Sequence, residues 1–130
     1  MPITLTTIHD GQRPNFPVKW FKDPLFDLKV FTVADQLLKG YKGGLWDYVE
    51  TDLVGFMRSP HPTNTLISPY SGEEYVVDDN LAGMIITIYA ISSTFPHSDR
   101  LDELHGDLID LAYAYAEETG QESQAFGMLD

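Results

Sequence analysis

The stretch that most constrains this chain is Asp78–Phe95, DDNLAGMIITIYAISSTF. From Leu81 to Ile91 nearly every residue is apolar, so the segment must be enclosed by whatever fold forms. Periodicity alone does not separate a buried helix from a buried strand in such a run. Ile85, Ile86, Thr87 and Ile88 favour a strand, because β-branched side chains suit a pleated surface. Asp78, Asp79 and Asn80 favour a helix start, since their side-chain oxygens satisfy the unpaired amides of a first turn. Length decides between them. The run continues through Ala82, Gly83 and Ala90 to Pro96, about four helical turns and long for a strand. It reads as a central helix in which Gly83 lets another backbone approach closely. A membrane span needs about 20 apolar residues; this run is shorter and broken by Gly, Thr and Ser.

At 130 residues the chain reads as a single domain, 1–130, large enough to bury one core around that helix. It has no cysteine, hence no disulfide and no thiolate site, which fits a reducing cytoplasm. The start, MPITLTTIHDG, lacks the basic and apolar regions of a signal peptide. Charge is the strongest compositional fact: eight Lys and Arg stand against twenty Asp and Glu, a net charge of −12. Direct binding to nucleic acid is therefore not expected, because it rests on neutralising phosphates with basic side chains. Residues 98–130 alone carry nine acids and one base. That acidic third reads either as a solvated, solubilising helix face or as a surface for a basic partner.

The remaining elements follow from local pattern. Residues 1–20 read as an irregular arm with a short strand at Ile3–Ile8. A helix from Pro24 to Lys39 is expected, with Asp23 as N-cap, Gly40 closing it, and Leu25, Leu28, Phe31, Asp35 and Leu38 near one face. Leu45–Val49 and Leu53–Met57 read as an antiparallel hairpin across Glu50-Thr51-Asp52. Thr65–Ser68 supplies a third strand, and Glu73–Val77 is extended or loop. After Pro96, Ser98 or Asp99 caps a helix to about Glu118, closed by Gly120, with Leu101, Leu104, Leu108, Leu111 and Tyr115 as its apolar stripe. A last short turn tucks Phe126, Met128 and Leu129 onto the core. The predicted class is α+β: a small antiparallel sheet of about three strands, packed by the central helix, an acidic C-terminal helix and an N-terminal helix.

No catalytic constellation is visible, so a non-enzymatic role is expected. The four histidines show no metal-binding spacing, and no cysteine joins them; neither a metal site nor a cofactor is expected. Ser71-Gly72 lacks the frame of a nucleophile elbow, and no phosphate-binding glycine loop occurs. Asp99, Glu103, Asp110 and Glu117 form an acidic stripe opposite the apolar one. Their steps of four and seven residues amount to roughly 6 and 10 Å along a helix. This is sparser than the phosphates of one DNA strand, which recur about every 3.4 Å. The stripe alone therefore supports DNA mimicry only weakly.

Taken in order, several short motifs resemble the ArdB/KlcA antirestriction family. Tyr41-Lys42-Gly43-Gly44-Leu45-Trp46-Asp47-Tyr48 is similar to the family's Tyr-x-Gly-Gly-x-Trp-x-aromatic strand. Gly55-Phe56-Met57 with Pro60 resembles its Gly-Phe-aromatic-Met-x-Pro, and Tyr70-Ser71-Gly72-Glu73 its aromatic-Ser-Gly-Glu turn. Asp79–Tyr89 resembles the opening of its apolar helix, and Leu129-Asp130 its ending. The likeness covers Gln36–Asp130; residues 1–20 do not align, and Glu74–Val77 looks like an insertion.

The resemblance implies an α+β fold and a cytoplasmic protein of a plasmid, phage or other mobile element that relieves restriction by type I restriction–modification enzymes. The implied mode is protein–protein contact with the restriction enzyme or an associated protein, sparing modification, with no membrane involved. It marks Trp46, Tyr48 and Asp130 as exposed partner contacts, beside the acidic positions Asp99, Glu103, Asp110 and Glu117. By residue type, Trp46 fits a core position equally well. The alternative is an acidic interaction module of a mobile element without antirestriction activity.

Overall fold

A computed structural model describes residues 3–94 and 98–130. In chain order the elements are β1 (Thr6–Thr7), a 3-10 turn (Asp10–Asn15), α1 (Phe16–Phe21), α2 (Phe26–Leu37), β2 (Asp47–Glu50), β3 (Gly55–Arg58), β4 (Thr63–Ile67), β5 (Glu74–Asp78), α3 (Asp79–Ser92), α4 (Asp99–Thr119) and α5 (Glu122–Leu129). The class is α+β, as expected, but the sheet is not a single three-stranded one. Two antiparallel sheets form, β1-β2-β3 and β4-β5. The additional strand is β5, in the stretch expected to be extended or loop and to hold an insertion. It pairs along its length with β4, from Thr63 opposite Asp78 to Ile67 opposite Glu74.

The central helix is α3, and its apolar run is enclosed: Leu81, Met84, Ile85, Ile86, Ile88 and Ile91 are all buried. Each such side chain contributes about 1.5–3 kcal/mol of gross burial. The predicted β-propensity of the isoleucines is overridden by length and by the cap. Asp78 Oδ1 accepts from the Leu81 amide at 2.8 Å. The same carboxylate's Oδ2 accepts from the Tyr115 hydroxyl at 2.6 Å and from Gln121 Nε2 at 3.0 Å, while the Asp78 amide donates to Gln121 Oε1 at 2.9 Å. One residue thus ties β5, the start of α3, α4 and the approach to α5.

Helix α3 lies against the edge of β3 that β2 leaves open. The Met57 amide donates to Thr87 Oγ1 at 3.2 Å, and the Ser59 amide to the Asp79 carbonyl at 3.3 Å. Gly83 makes the approach possible: a Cβ there would stand 2.1 Å from the Met57 carbonyl oxygen and 2.7 Å from Arg58 Cα. An edge strand covered by a helix no longer offers its amides to another chain.

The N-terminal quarter departs most from expectation. The short strand expected within Ile3–Ile8 is present as β1, paired with β2, but the rest of the arm is not irregular: the 3-10 turn leads into α1, which buries Phe16, Pro17, Trp20 and Phe21. Pro17 sits in the first turn of α1, where no amide hydrogen bond is required. Helix α2 starts two residues later than predicted, because Asp23 forms a turn, accepting from the Leu25 amide at 2.9 Å. Its buried stripe is Phe26, Val30, Val33, Ala34 and Leu37, so Leu25 and Leu28 are left 64% and 58% exposed. Phe26 stacking on Phe21, with ring centroids 3.9 Å apart, selects that face. Leu38 is already extended and bridges Leu66, so the helix stops before Gly40. The C-terminal region follows the prediction more closely. Ser98 caps α4, accepting from the Leu101 amide at 3.2 Å, and Gly120 ends it at φ +74°. The buried positions are Leu101, Leu104, Leu108, Ala112 and Ala116, with Leu111 and Tyr115 only partly covered. In α5 Ala125 and Met128 are buried, whereas Phe126 is exposed.

Two glycines inside helices should respond oppositely to alanine. Gly83→Ala forces a side chain into the β3 backbone and should lower stability by about 3 kcal/mol or more. Gly106→Ala, in exposed α4 with nothing within 4 Å of the added Cβ, should raise it by about 0.5–1 kcal/mol. Urea unfolding of the two variants checks both signs.

Candidate functional site

The positions expected to contact a partner do not form one surface. Trp46 and Tyr48 are 2% and 7% exposed, so the expectation that they are exposed is corrected: both are core residues. Trp46 Nε1 donates to the Tyr41 hydroxyl at 3.0 Å, and the Trp46 carbonyl accepts from Arg13 Nη2 at 2.8 Å. Tyr48 stacks on Phe16, with centroids 4.5 Å apart and planes 3° from parallel, and the Arg13 guanidinium lies 4.5 Å from its ring centre. Its hydroxyl donates to the Asp27 carboxylate, whose Oδ1 is buried without a partner. Burial first, and then that hydrogen bond, push the Tyr48 hydroxyl far above the ordinary tyrosine range. These aromatics clamp the 3-10 turn and α1 onto β2.

The acidic positions do lie on the surface. Asp99, Glu103, Asp110 and Glu117 are all exposed on α4. At 100° per residue the stripe they form is centred roughly 170° around the helix from the buried stripe. Asp99 also sits in the first turn, where a negative charge complements the helix dipole. The lone base of this third, Arg100, turns its guanidinium towards Trp20, 5.5 Å from the ring centre.

Asp130 belongs to a different feature, a cleft of about 270 Å³ where α3 and α5 both end beside the middle of α4. Ile88, Ile109 and Leu129 supply its apolar wall, and Tyr70, Tyr89 and Asp130 its aromatic and acidic lining. The Tyr89 hydroxyl donates to the Met128 carbonyl, and the Tyr113 hydroxyl donates to Asp130 Oδ1. Tyr70 is 81% exposed. Sequence reasoning placed Asp130 at the surface but missed the cleft, because its lining comes from four segments far apart in the chain.

Ser92 and His105 also line this cleft, with Ser92 Oγ 2.8 Å from His105 Nε2. The pair has the separation of a nucleophile and its base, but its surroundings do not suit that role. Ser92 Oγ donates to the Ile88 carbonyl at 3.1 Å, which leaves the oxygen to accept from an imidazole N–H. The pair also lies at the C-terminal end of α3, where the helix dipole is negative and disfavours a developing oxyanion. Among the described residues no group of three or more His, Asp or Glu could hold a metal ion. Among the same residues no helix is long and apolar enough to cross a membrane.

No protein-family model matches the chain, and no curated protein matches it. The fold does match. The structure is similar to a solved structure of the KlcA and ArdB proteins, with a TM-score of 0.73 at 19% identity over 94% of each chain. Those proteins are described as showing a novel fold and antirestriction activity against Type I DNA restriction systems in vivo but not in vitro. This chain is ArdB/KlcA-like in fold. The likeness extends beyond the Gln36–Asp130 stretch that carries the sequence motifs, since the uncovered share is smaller than the twenty-residue N-terminal arm.

Three tyrosines around α4 set an alkaline limit. Burial holds the Tyr89, Tyr113 and Tyr115 hydroxyls up at about 12, aided at Tyr89 by the neighbouring Tyr70 and at Tyr113 and Tyr115 by their hydrogen bonds to Asp130 and Asp78. Unfolded tyrosine ionises near 10, so between these values the folded chain retains protons that the unfolded chain has lost. Their stabilising contribution is complete below about pH 10 and is lost as pH rises through about 12. Unfolding followed by circular dichroism should show this loss, together with delayed tyrosinate absorbance. Tyr115→Phe should make the alkaline decline shallower.

Proposed function

We propose that this protein relieves DNA restriction by type I restriction–modification systems, without catalysis, by contacting the restriction enzyme or an associated protein. The observation that carries the reading is the likeness in fold to KlcA and ArdB over 94% of the chain, at a TM-score of 0.73. The Ser92–His105 pair, with its hydroxyl committed to a carbonyl, supports a non-enzymatic mode. In this reading the protein acts in the cytoplasm, is carried by a plasmid, phage or other mobile element, and leaves modification intact. The net charge of −12 and the exposed Asp99, Glu103, Asp110 and Glu117 support steering towards a basic protein surface and do not favour DNA.

The same acidic face also suits the second reading, an interaction module of a mobile element with no antirestriction role. Phage plating on a host with an active type I system, with and without the protein, separates the two. Relief of restriction is expected, with the DNA of surviving phage still methylated. Absence of relief against several type I subtypes, from folded protein, overturns the antirestriction reading in favour of the second. Replacing Asp99 and Asp110 by Asn, and Glu103 and Glu117 by Gln, should weaken relief without unfolding the protein. Full relief by that variant would remove the acidic stripe from the mechanism.

A further inference from the structure

The cleft at the ends of α3 and α5 has a chemistry that the acidic stripe lacks. It is a half-open recess rather than a flat face, and part of its wall is apolar, supplied by Ile88, Ile109 and Leu129. Two helices, α3 and α5, end at its rim with Ser92 and Leu129, so two negative dipole ends converge there. Two carbonyls at these ends are already occupied: Ser93 Oγ and Thr94 Oγ1 donate to the Ala90 carbonyl at 2.8 and 3.0 Å, and Tyr89 donates to that of Met128. These carbonyls therefore contribute a negative field rather than open acceptors. The acceptor at the rim is Asp130, whose carboxylate is positioned by the Tyr113 hydroxyl on Oδ1. Beside it the largely exposed Tyr70 and the half-buried Tyr89 line the space.

We infer that this cleft receives an arginine side chain from a basic segment of a partner protein. The aliphatic stem would lie along the Ile88–Ile109–Leu129 wall, the guanidinium over the Tyr70 ring, and its N–H donors against the Asp130 carboxylate. Arginine fits better than lysine, because a planar guanidinium stacks on an aromatic face and pairs with a carboxylate through two N–H groups at once. A carboxylate ligand is excluded by the same field that attracts the cation. A volume of about 270 Å³ suits one side chain rather than a peptide segment or a drug-sized ligand, for which pockets of about 300–1,000 Å³ are usual. The inference rests on the geometry of the cleft and is independent of the antirestriction reading.

The test uses the full chain, isotope-labelled, titrated with a blocked glycine-arginine-glycine peptide while amide and side-chain shifts are followed by NMR. The matched control replaces arginine by citrulline, which keeps the shape and removes the charge. Saturable shifts at Tyr70, Ile109 and Asp130 with the arginine peptide, absent with citrulline, are expected. Tyr70→Ala and Asp130→Asn, both at exposed positions, should each weaken the arginine response by about fivefold or more with the fold intact. Equal shifts with the citrulline peptide, or no saturable shift with either, would overturn the inference. So would shifts confined to Asp99, Glu103, Asp110 and Glu117, which would show diffuse attraction to the acidic stripe.

Discussion

The contact on which the rest of the structure depends is the approach of α3 to the backbone of β3 at Gly83. With a side chain there, the helix could not sit within reach of Met57 and Arg58. The Met57 amide would then lose Thr87 as its acceptor, and the β3 edge would stand open. Buried amides without partners are costly, so glycine and threonine at these two positions work as a unit. Strand β3, the β4-β5 sheet and helices α2, α4 and α5 all pack against the helix held by this contact.

A second constraint acts at the N-terminus of the same helix. Asp78 caps α3 with one carboxylate oxygen and binds Tyr115 and Gln121 with the other. A cap needs only a short side chain with an oxygen. Here it also aligns the end of α4 with the start of α3, and so brings the final turns of α3 and α5 beside the middle of α4. The cleft that contains Asp130 follows from that alignment rather than from any local motif.

Legibility in the sequence varied by element, for physical reasons. The helix α4 was readable because its capping serine, periodic leucines and terminal glycine agree with one another. The face of α2 was not, because Leu25, Leu28, Phe31 and Leu38 compete with Phe26, Val30, Val33 and Leu37 as apolar stripes. Stacking on Phe21, a contact from another element, decided between them. In the arm at residues 1–20 the short strand is legible but α1 is not, because the prolines resemble loop punctuation, whereas Pro17 is tolerated in the first turn of α1. Trp46 and Tyr48 carry the family-like motif, but a motif does not state exposure, and both residues are walled in by the N-terminal segment.

By itself the sequence determined the class of the fold, the buried helix with its cap and close-approach glycine, and the acidity of the last third. Each of these depends on residue type and local spacing, which a chain carries before it folds. Only the tertiary structure decided that the strands form two sheets, that Trp46 and Tyr48 face inward, and that Tyr70, Tyr89, Ile109 and Asp130 meet in one cleft. These are long-range juxtapositions, set by packing against elements distant in the chain, and no local pattern encodes them.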